Sequence, residues 1–144
     1  MNAIEYIKEH HCKDSIITKD IVLAKFCALE NNYKHSFVIP CNLLNIVYSG
    51  TKILHTVDGD IEVQSGEAFF ITKGEYVMSE VVGETEYKCL LIFFDHHLMR
   101  KLISELPFKL NTNRNIDTKN IFKFPVDSFL QNSVDTLKNY LENK

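Results

Sequence analysis

Short apolar stretches alternate with turn residues from residue 21 to residue 94, and this pattern predicts about eight β-strands. Asp58-Gly59 and Ser65-Gly66 are the clearest turn signals, and Gly50 marks a hairpin or a bulge. The predicted strands are residues 21–29, 35–39, 43–49, 51–57, 61–63, 68–72, 76–82 and 86–94. Many short strands separated by regular turns are typical of a β-sandwich or a β-barrel.

The spacing of the apolar residues becomes helical after Phe94. Asp95 is suited to cap a first turn, and Pro107 ends the segment. The apolar stripe of this predicted helix is Leu98, Leu102, Ile103 and Leu106. A polar loop follows at residues 109–119, and a second amphipathic helix at residues 129–141. A short helix is also predicted at residues 2–11, so the fold class is mainly β with C-terminal helices.

The length of 144 residues suits one domain. We expect residues 1–107 to hold the strands, the short N-terminal helix and the first helix after the strands. Residues 108–144 then form the loop and the C-terminal helix of the same domain. The formal net charge is −3, and the basic residues are scattered among acidic ones. A duplex-binding surface needs clustered Lys and Arg, so this chain by itself is a poor candidate for binding nucleic acid.

The four cysteines are widely spaced and contain no Cys-x-x-Cys pair, which argues against a zinc ribbon or a thioredoxin-like site. The first residues lack the uninterrupted apolar core of a secretory signal. The longest apolar stretch, residues 90–94, is far below the ~20 residues that span a bilayer. We therefore expect a cytoplasmic protein with reduced thiols and no membrane partner.

One segment resembles the second signature of the cupin family. It reads SGEAFFITKGEYV over residues 65–77, and the preceding Ser49-Gly50 matches the glycine that closes the first cupin signature. The segment from residue 86 to Asp95, followed by Leu98 and Leu102, is more specifically similar to the N-terminal domain of AraC-type transcription regulators. The segment GEAFFITKGEYVMSE, residues 66–80, resembles the branch of this family that activates type III secretion and other virulence genes. The resemblance covers roughly residues 20–143 and implies a bacterial, cupin-like (jelly-roll) β-barrel followed by two α-helices.

The positions where catalytic cupins bind metal are apolar in this chain. The resemblance places the expected glutamate at Leu43 and the two expected histidines near residues 37–39. These positions hold no histidine, and the nearest one in the sequence is His35. In the second signature, Thr72 takes the proline position and Val77 the histidine position. Imidazole and carboxylate ligands cannot be replaced by Phe, Ile, Leu and Val. We therefore predict no metal, no other cofactor and no enzymatic activity.

Other candidate chemistry is weak. The neighbours His96 and His97 point about 100° apart on a helix and cannot easily share one metal ion. The same geometry makes His10-His11 a poor metal site. The serines include no Gly-x-Ser-x-Gly elbow, and the five glycines form no phosphate loop, so no catalytic residue is predicted. Lys25 interrupts an apolar strand, and period-2 alternation allows it to point outward. The alternative is a cation at the barrel mouth that pairs with an acidic effector or with Glu30.

The family resemblance implies that the chain senses an effector. The barrel interior, or a surface beside it, is predicted to bind a small molecule or a regulatory protein. The sequence does not decide which face of each strand points inward. The predicted effector pocket consists of Lys25, Phe26, Leu44, Ile46, Tyr48, Phe70, Met78 and Leu91.

The last predicted helix carries an apolar stripe with steps of four, three and four residues. Its members are Leu130, Val134, Leu137 and Leu141. The stripe packs on the chain's own barrel, or on the same helix of a second chain as a two-fold homodimer interface, or on both. The resemblance favours the homodimer and implies a DNA-binding domain with two helix-turn-helix units that is absent from this chain.

Two other functions stay open at this point. One is a free-standing cupin that acts as a metal-dependent enzyme, such as a dioxygenase or an isomerase, which a stoichiometric transition metal would support. The other is a stand-alone protein-binding cupin without a DNA-binding half.

Overall fold

The fold consists of two antiparallel β-sheets that face each other. The computed structural model describes residues 2–9, 15–17, 21–95, 97, 100 and 121–142. Within these residues the elements are α1 (Ala3–Glu9), β1 (Ser15–Ile17), β2 (Ile21–Ala28), β3 (Asn32–Ile39), β4 (Asn42–Ser49), β5 (Thr51–Thr56), β6 (Gly59–Gln64), β7 (Glu67–Ile71), β8 (Gly74–Val81), β9 (Tyr87–Phe94), β10 (Ile121–Pro125) and α2 (Ser128–Glu142). The prediction of a mainly β, cupin-like fold is confirmed.

The larger sheet has six strands in the order β1-β2-β9-β4-β7-β10, and the smaller has four in the order β3-β8-β5-β6. Strand β9 is central in the larger sheet and is apolar along most of its length, because both of its faces are covered. Cys89, Leu91 and Phe93 point between the sheets. Leu90 and Ile92 point to the opposite face, which α2 covers. The strand therefore contributes to two separate apolar layers.

The chain passes from the larger sheet to the smaller one at Gly50. This glycine has a φ of 81°, a left-handed conformation that L side chains rarely adopt, and a Cβ added to it would lie 2.5 Å from the carbonyl oxygen of Val81. Strands β4 and β5 consequently belong to different sheets. Of the two alternatives predicted at Gly50, a hairpin or a bulge, the hairpin is wrong, because β4 and β5 do not pair. The register of β4 against β9 shifts between Val47 and Ser49, next to this glycine.

Both helices begin at a side chain that caps them. The Asn2 Oδ1 atom accepts hydrogen bonds from the backbone N–H groups of Ile4 (2.9 Å) and Glu5 (3.3 Å). The Asp127 Oδ1 atom accepts one from the Leu130 N–H at 2.8 Å. Helix α1 lies beside β3, where Asn2 forms an isolated parallel bridge with Val38.

Two strands were not predicted from the sequence. Strand β1 is only three residues long and pairs with β2, and β10 pairs with β7 at the other edge of the larger sheet. The helix predicted after Phe94, the loop at residues 109–119 and the pair His10-His11 lie outside the described residues, apart from isolated helical positions at His97 and Arg100. In the described part of the chain, no helix has both the length and the apolar composition needed to cross a bilayer.

Candidate functional site

A cavity of about 40 Å³ lies between the two sheets. Helix α1 closes part of it through Ala3, Tyr6 and Ile7. The Tyr6 ring packs edge-on against Phe37 with the ring centroids 5.2 Å apart, and its centroid lies 6.0 Å from that of Phe26. The other residues that line the cavity are Phe26, Phe37, Ile39, Leu43, Asn45, Lys52, Met78, Glu80, Cys89, Leu91 and Phe93. The cavity is therefore mostly apolar, with a few polar groups.

The central polar feature of the cavity is an ion pair. Lys52 on β5 and Glu80 on β8 are directly opposite each other in the ladder, and both are buried. The Lys52 Nζ atom donates a hydrogen bond to Glu80 Oε2 at 2.8 Å. The same ammonium lies 6.0 Å from the centroid of the Phe37 ring and 5.9 Å from that of Tyr87, within the range of a cation–π interaction. The pair is electrically neutral as a unit, and its desolvated charges compensate each other.

Asn45 on β4 is fully buried and lines the same cavity as this ion pair. Its side chain interacts with the Tyr87 hydroxyl, but neither its amide nitrogen nor its carbonyl oxygen makes a hydrogen bond of good geometry among the described residues. The hydroxyl of Tyr87 is likewise buried without a well-formed hydrogen bond; burial raises its pKa well above the ordinary tyrosine value, and the neighbouring Asn45 side chain lowers it in part. An unsatisfied buried polar group costs about 1–3 kcal/mol, so both side chains are retained at a cost to stability.

The alternation of the strands decides which predicted pocket residues reach the cavity. Phe26, Met78 and Leu91 line it. The remaining predicted members with apolar or aromatic side chains face the opposite side of the larger sheet, in the layer under α2; they are Leu44, Ile46, Tyr48 and Phe70. Their assignment to the interior is corrected, because one step along a strand reverses the direction of the side chain. Phe70 instead packs with Phe94 and Phe122, at centroid distances of 6.0 and 6.2 Å.

Lys25 does not line the cavity. It is half-buried and lies between Ala24 and Phe26, which both belong to the layer between the sheets. Alternation therefore places Lys25 on the outer face of the larger sheet, the outward direction that the sequence allowed.

The outer face of the larger sheet packs against α2. Val134 is buried with only 1% of its surface exposed, and Leu130 is half-buried in the same layer. These two members of the predicted dimer stripe contact their own chain, so Val134 offers no surface to a partner. The side chains of Leu137 and Leu141 lie outside the described part of the structure.

Sequence reasoning missed Asn45, Lys52 and Glu80. Each lies within a predicted strand, at a position whose neighbours two residues away on the same strand include a buried apolar side chain. The available signal was a polar residue on the apolar face of a strand. It indicates a buried polar site only when the inward face of that strand is known.

A second polar cluster lies on the outer face of the smaller sheet. His55 Nδ1 lies 2.8 Å from Asp60 Oδ1, and His55 Nε2 lies 2.7 Å from the Ser79 hydroxyl oxygen. The Ser79 oxygen also accepts a hydrogen bond from the Lys34 N–H at 2.8 Å, and Ser79 is only 1% exposed. The connectivity is that of a hydrolase triad, but the buried hydroxyl is closed to a substrate. The cluster therefore joins β3, β5, β6 and β8.

Three of the four residues that the cupin resemblance associates with metal ligands also lie at the cavity. Phe37, Ile39 and Leu43 line it, whereas Val77 lies between Tyr76 and Met78 and faces away. Among residues 2–9, 15–17, 21–95, 97, 100 and 121–142, no three His, Cys, Asp or Glu side chains are grouped so that they could hold a metal ion.

Comparison with known proteins identifies related regulators. The model of the family described as "ExsA N-terminal regulatory domain" matches residues 42–144. No curated protein sequence matches the chain. Among solved structures, apo ToxT K231A from Vibrio cholerae strain SCE256 superimposes with a TM-score of 0.61 at 10% identity, covering 88% of this chain and 48% of ToxT.

ToxT from Vibrio cholerae O395 gives the same TM-score of 0.61 at 11% identity, covering 87% of this chain and 47% of ToxT. Wild-type ToxT bound to an unsaturated fatty acid gives a TM-score of 0.58 at 9% identity, covering 87% of this chain and 47% of ToxT. At these identities the likeness establishes the fold alone, and the chain spans about half the length of ToxT. Because the family model covers most of the chain, the protein belongs to the ExsA N-terminal regulatory domain family, the cupin-like regulatory domains of AraC-type transcription regulators.

Proposed function

We propose that this chain is the effector-binding domain of an AraC-type transcription regulator, and that its effector is a small molecule bound between the two sheets. The observation that carries the proposal is the cavity itself, which combines apolar walls with Asn45, Lys52 and Glu80. Ligand sites in proteins are typically concave and apolar, with a few polar groups that fix the orientation of the ligand.

The similar structures support a small molecule. ToxT has been solved with an unsaturated fatty acid and with (E)-4-(8-methylnaphthalen-1-yl)but-3-enoic acid. Because this chain has the same fold, these structures support a small-molecule ligand that is largely apolar. A regulatory protein as effector is the alternative, and the experiment below separates the two.

The size of the cavity bears on how an effector would bind. About 40 Å³ holds roughly three water molecules, so a larger effector needs more room. Helix α1 is the element best suited to move away and enlarge the cavity, because it is short and contributes Tyr6 and Ile7 to the cavity wall. We propose that effector binding displaces α1 and so couples cavity occupancy to the rest of the regulator. The coupling equals the difference in the effector's affinity for the two arrangements.

We also propose that the chain dimerises and that DNA is bound by a helix-turn-helix domain outside these 144 residues. The net charge of −3 makes these residues themselves poor candidates for binding duplex DNA. Since Val134 packs on its own sheet, the proposed interface is the C-terminal half of α2, around Leu137 and Leu141, together with the exposed Phe129. We assign no catalysis to the domain.

The test compares two variants with the same substitution on opposite faces of the larger sheet. Leu91→Phe fills the cavity, whereas Leu44→Phe changes the layer under α2. Wild type and both variants are checked for folding by circular dichroism, incubated with a small-molecule extract of bacterial cells and examined by native mass spectrometry. We expect a bound molecule on wild type and Leu44→Phe and a loss on Leu91→Phe. No bound molecule on any chain, or an equal amount on Leu91→Phe, would favour a protein effector.

A further inference from the structure

We propose that the effector carries a neutral hydrogen-bonding head, such as a carboxamide or an alcohol, and that Asn45 recognises it. This inference rests on the proposed function and specifies the chemical class of the effector. The site consists of Asn45 with the Lys52–Glu80 ion pair beside it, and we refer to these three residues as the interior polar site.

The charge balance of the interior polar site argues against an ionised head. Glu80 already compensates Lys52 at 2.8 Å, and both side chains are buried. A carboxylate on the effector would leave one buried negative charge in excess, and an ammonium would leave one positive charge in excess. Uncompensated charge in a desolvated interior is strongly unfavourable. A neutral head leaves the pair undisturbed.

The hydrogen-bonding capacity of Asn45 fits a neutral head. Its carbonyl oxygen accepts and its amide nitrogen donates; the side chain interacts with the Tyr87 hydroxyl, but neither atom makes a hydrogen bond of good geometry among the described residues. A carboxamide offers one complementary donor and one complementary acceptor, and a hydroxyl offers both on a single atom. An ionised carboxylate offers acceptors only, so it would leave the Asn45 oxygen unsatisfied.

The walls around the interior polar site favour an apolar remainder for the effector. Met78 and Leu91 line the cavity, and Phe37 and Phe26 lie toward Tyr6 of helix α1. A molecule with its head at Asn45 would place its apolar part among these side chains. The effector class is therefore a neutral amphiphile, with a polar end inside the barrel and an apolar end toward α1.

The test uses hexanamide and hexanoate, which share an apolar chain and differ in the head. Each is titrated at pH 7 into the wild-type chain labelled with ¹⁵N, and the side-chain amide signals are followed by NMR. Asn45→Leu identifies the Asn45 signals by their loss and removes both hydrogen-bonding atoms. Asn42→Leu is the matched control, because Asn42 is also buried on β4 but lies on the opposite face by alternation.

We expect hexanamide to shift the Asn45 amide signals and to bind about tenfold more tightly than hexanoate. Asn45→Leu should abolish hexanamide binding while raising the Tm of the free chain by roughly 2–4 °C, because an unsatisfied amide is replaced by an apolar group of similar size. Asn42→Leu should bind hexanamide as wild type does.

Two results would overturn the inference and leave the proposed function in place. One is tighter binding of hexanoate than of hexanamide, weakened in Lys52→Met, which would assign the head to the ammonium. The other is hexanamide binding that survives in Asn45→Leu but is lost in Leu91→Phe. Failure of both probes to perturb any cavity residue would count against the proposed function itself.

Discussion

Lys52 and Glu80 face each other across the β5–β8 ladder inside the barrel, with Nζ and Oε2 2.8 Å apart. Both side chains are more than nine-tenths buried. A barrel built only for stability would fill these two positions with apolar side chains, because a buried ion pair rarely improves on well-packed apolar residues. We therefore propose that the pair is retained for its role in binding the effector.

The ion pair makes a prediction about stability. Lys52→Met leaves the Glu80 carboxylate buried without its counter-charge, and we expect a loss of about 3–5 kcal/mol in the free energy of unfolding. The double variant Lys52→Met/Glu80→Leu removes both charges and should recover most of that loss. Urea unfolding of the four chains in a double-mutant cycle measures the coupling. A single variant as stable as wild type would show that the carboxylate is not desolvated.

Gly50 makes a second prediction, for which Gly66 is the control. Both glycines have positive φ values, 81° and 89°, but only at Gly50 would a Cβ meet the backbone, 2.5 Å from the carbonyl oxygen of Val81. Gly66→Ala should cost about 1–2 kcal/mol through backbone strain alone. Gly50→Ala should cost about 3 kcal/mol or more, because the clash adds to the strain. Equal losses in chemical denaturation would mean that the chain relaxes where it changes sheet.

The oligomeric state provides a third prediction. Light scattering of the wild-type chain should give the mass of a dimer over micromolar concentrations. Leu137→Asp should give a folded monomer, because it places a charge in the proposed interface. Ser133→Asp, which adds the same charge at an exposed position of α2, should remain a dimer. A wild-type monomer at every concentration would contradict the dimer proposal.

The sequence predicts the strands well where one face is apolar and turns are clear. A hairpin was predicted with Asp58-Gly59 as its turn; the hairpin is present, but its two-residue turn lies one position earlier, at Val57-Asp58, between the paired residues Thr56 and Gly59. Strand β10 was missed because Ile121–Pro125 alternates over only five residues and ends in proline, a residue tolerated at a sheet edge. Its pairing with β7 depends on tertiary contact.

The candidate site was only partly predictable, because its composition depends on strand parity. Leu44 and Asn45 are adjacent in β4, yet they face different layers. Nothing in a strand that is apolar on both faces tells which residue points inward, so Leu44 was selected and Asn45 was not. Lys52 and Glu80 are 28 positions apart in the sequence, so their pairing depends on the register of β5 against β8.

Cys27 yields a prediction about reactivity. Its thiol donates a hydrogen bond to Glu86 Oε2 at 3.0 Å. Burial, then that hydrogen bond, then the Glu86 charge raise the pKa of Cys27, while Lys88 lowers it. A raised pKa reduces the thiolate fraction at pH 8, so iodoacetamide should modify Cys27 more slowly than free cysteine.

Glu86→Gln removes the negative charge and should accelerate the modification of Cys27 severalfold at pH 8, with little change at pH 11. Lys88→Met should slow it, because the neighbouring positive charge is lost. Peptide mass spectrometry separates Cys27 from the other cysteines. An unchanged rate in Glu86→Gln would mean that the carboxylate does not control the thiol.

The central claim, that a small molecule binds between the sheets, is tested most directly at Met78. The chain has three methionines, and Met78 lines the cavity. With ¹³C-methyl methionine the NMR spectrum contains few signals, and Met78→Leu identifies the one that reports on the cavity. We expect hexanamide to shift the Met78 methyl signal saturably in wild type and not in Leu91→Phe. A Met78 signal that stays unchanged while hexanamide binds the chain would contradict binding in the cavity.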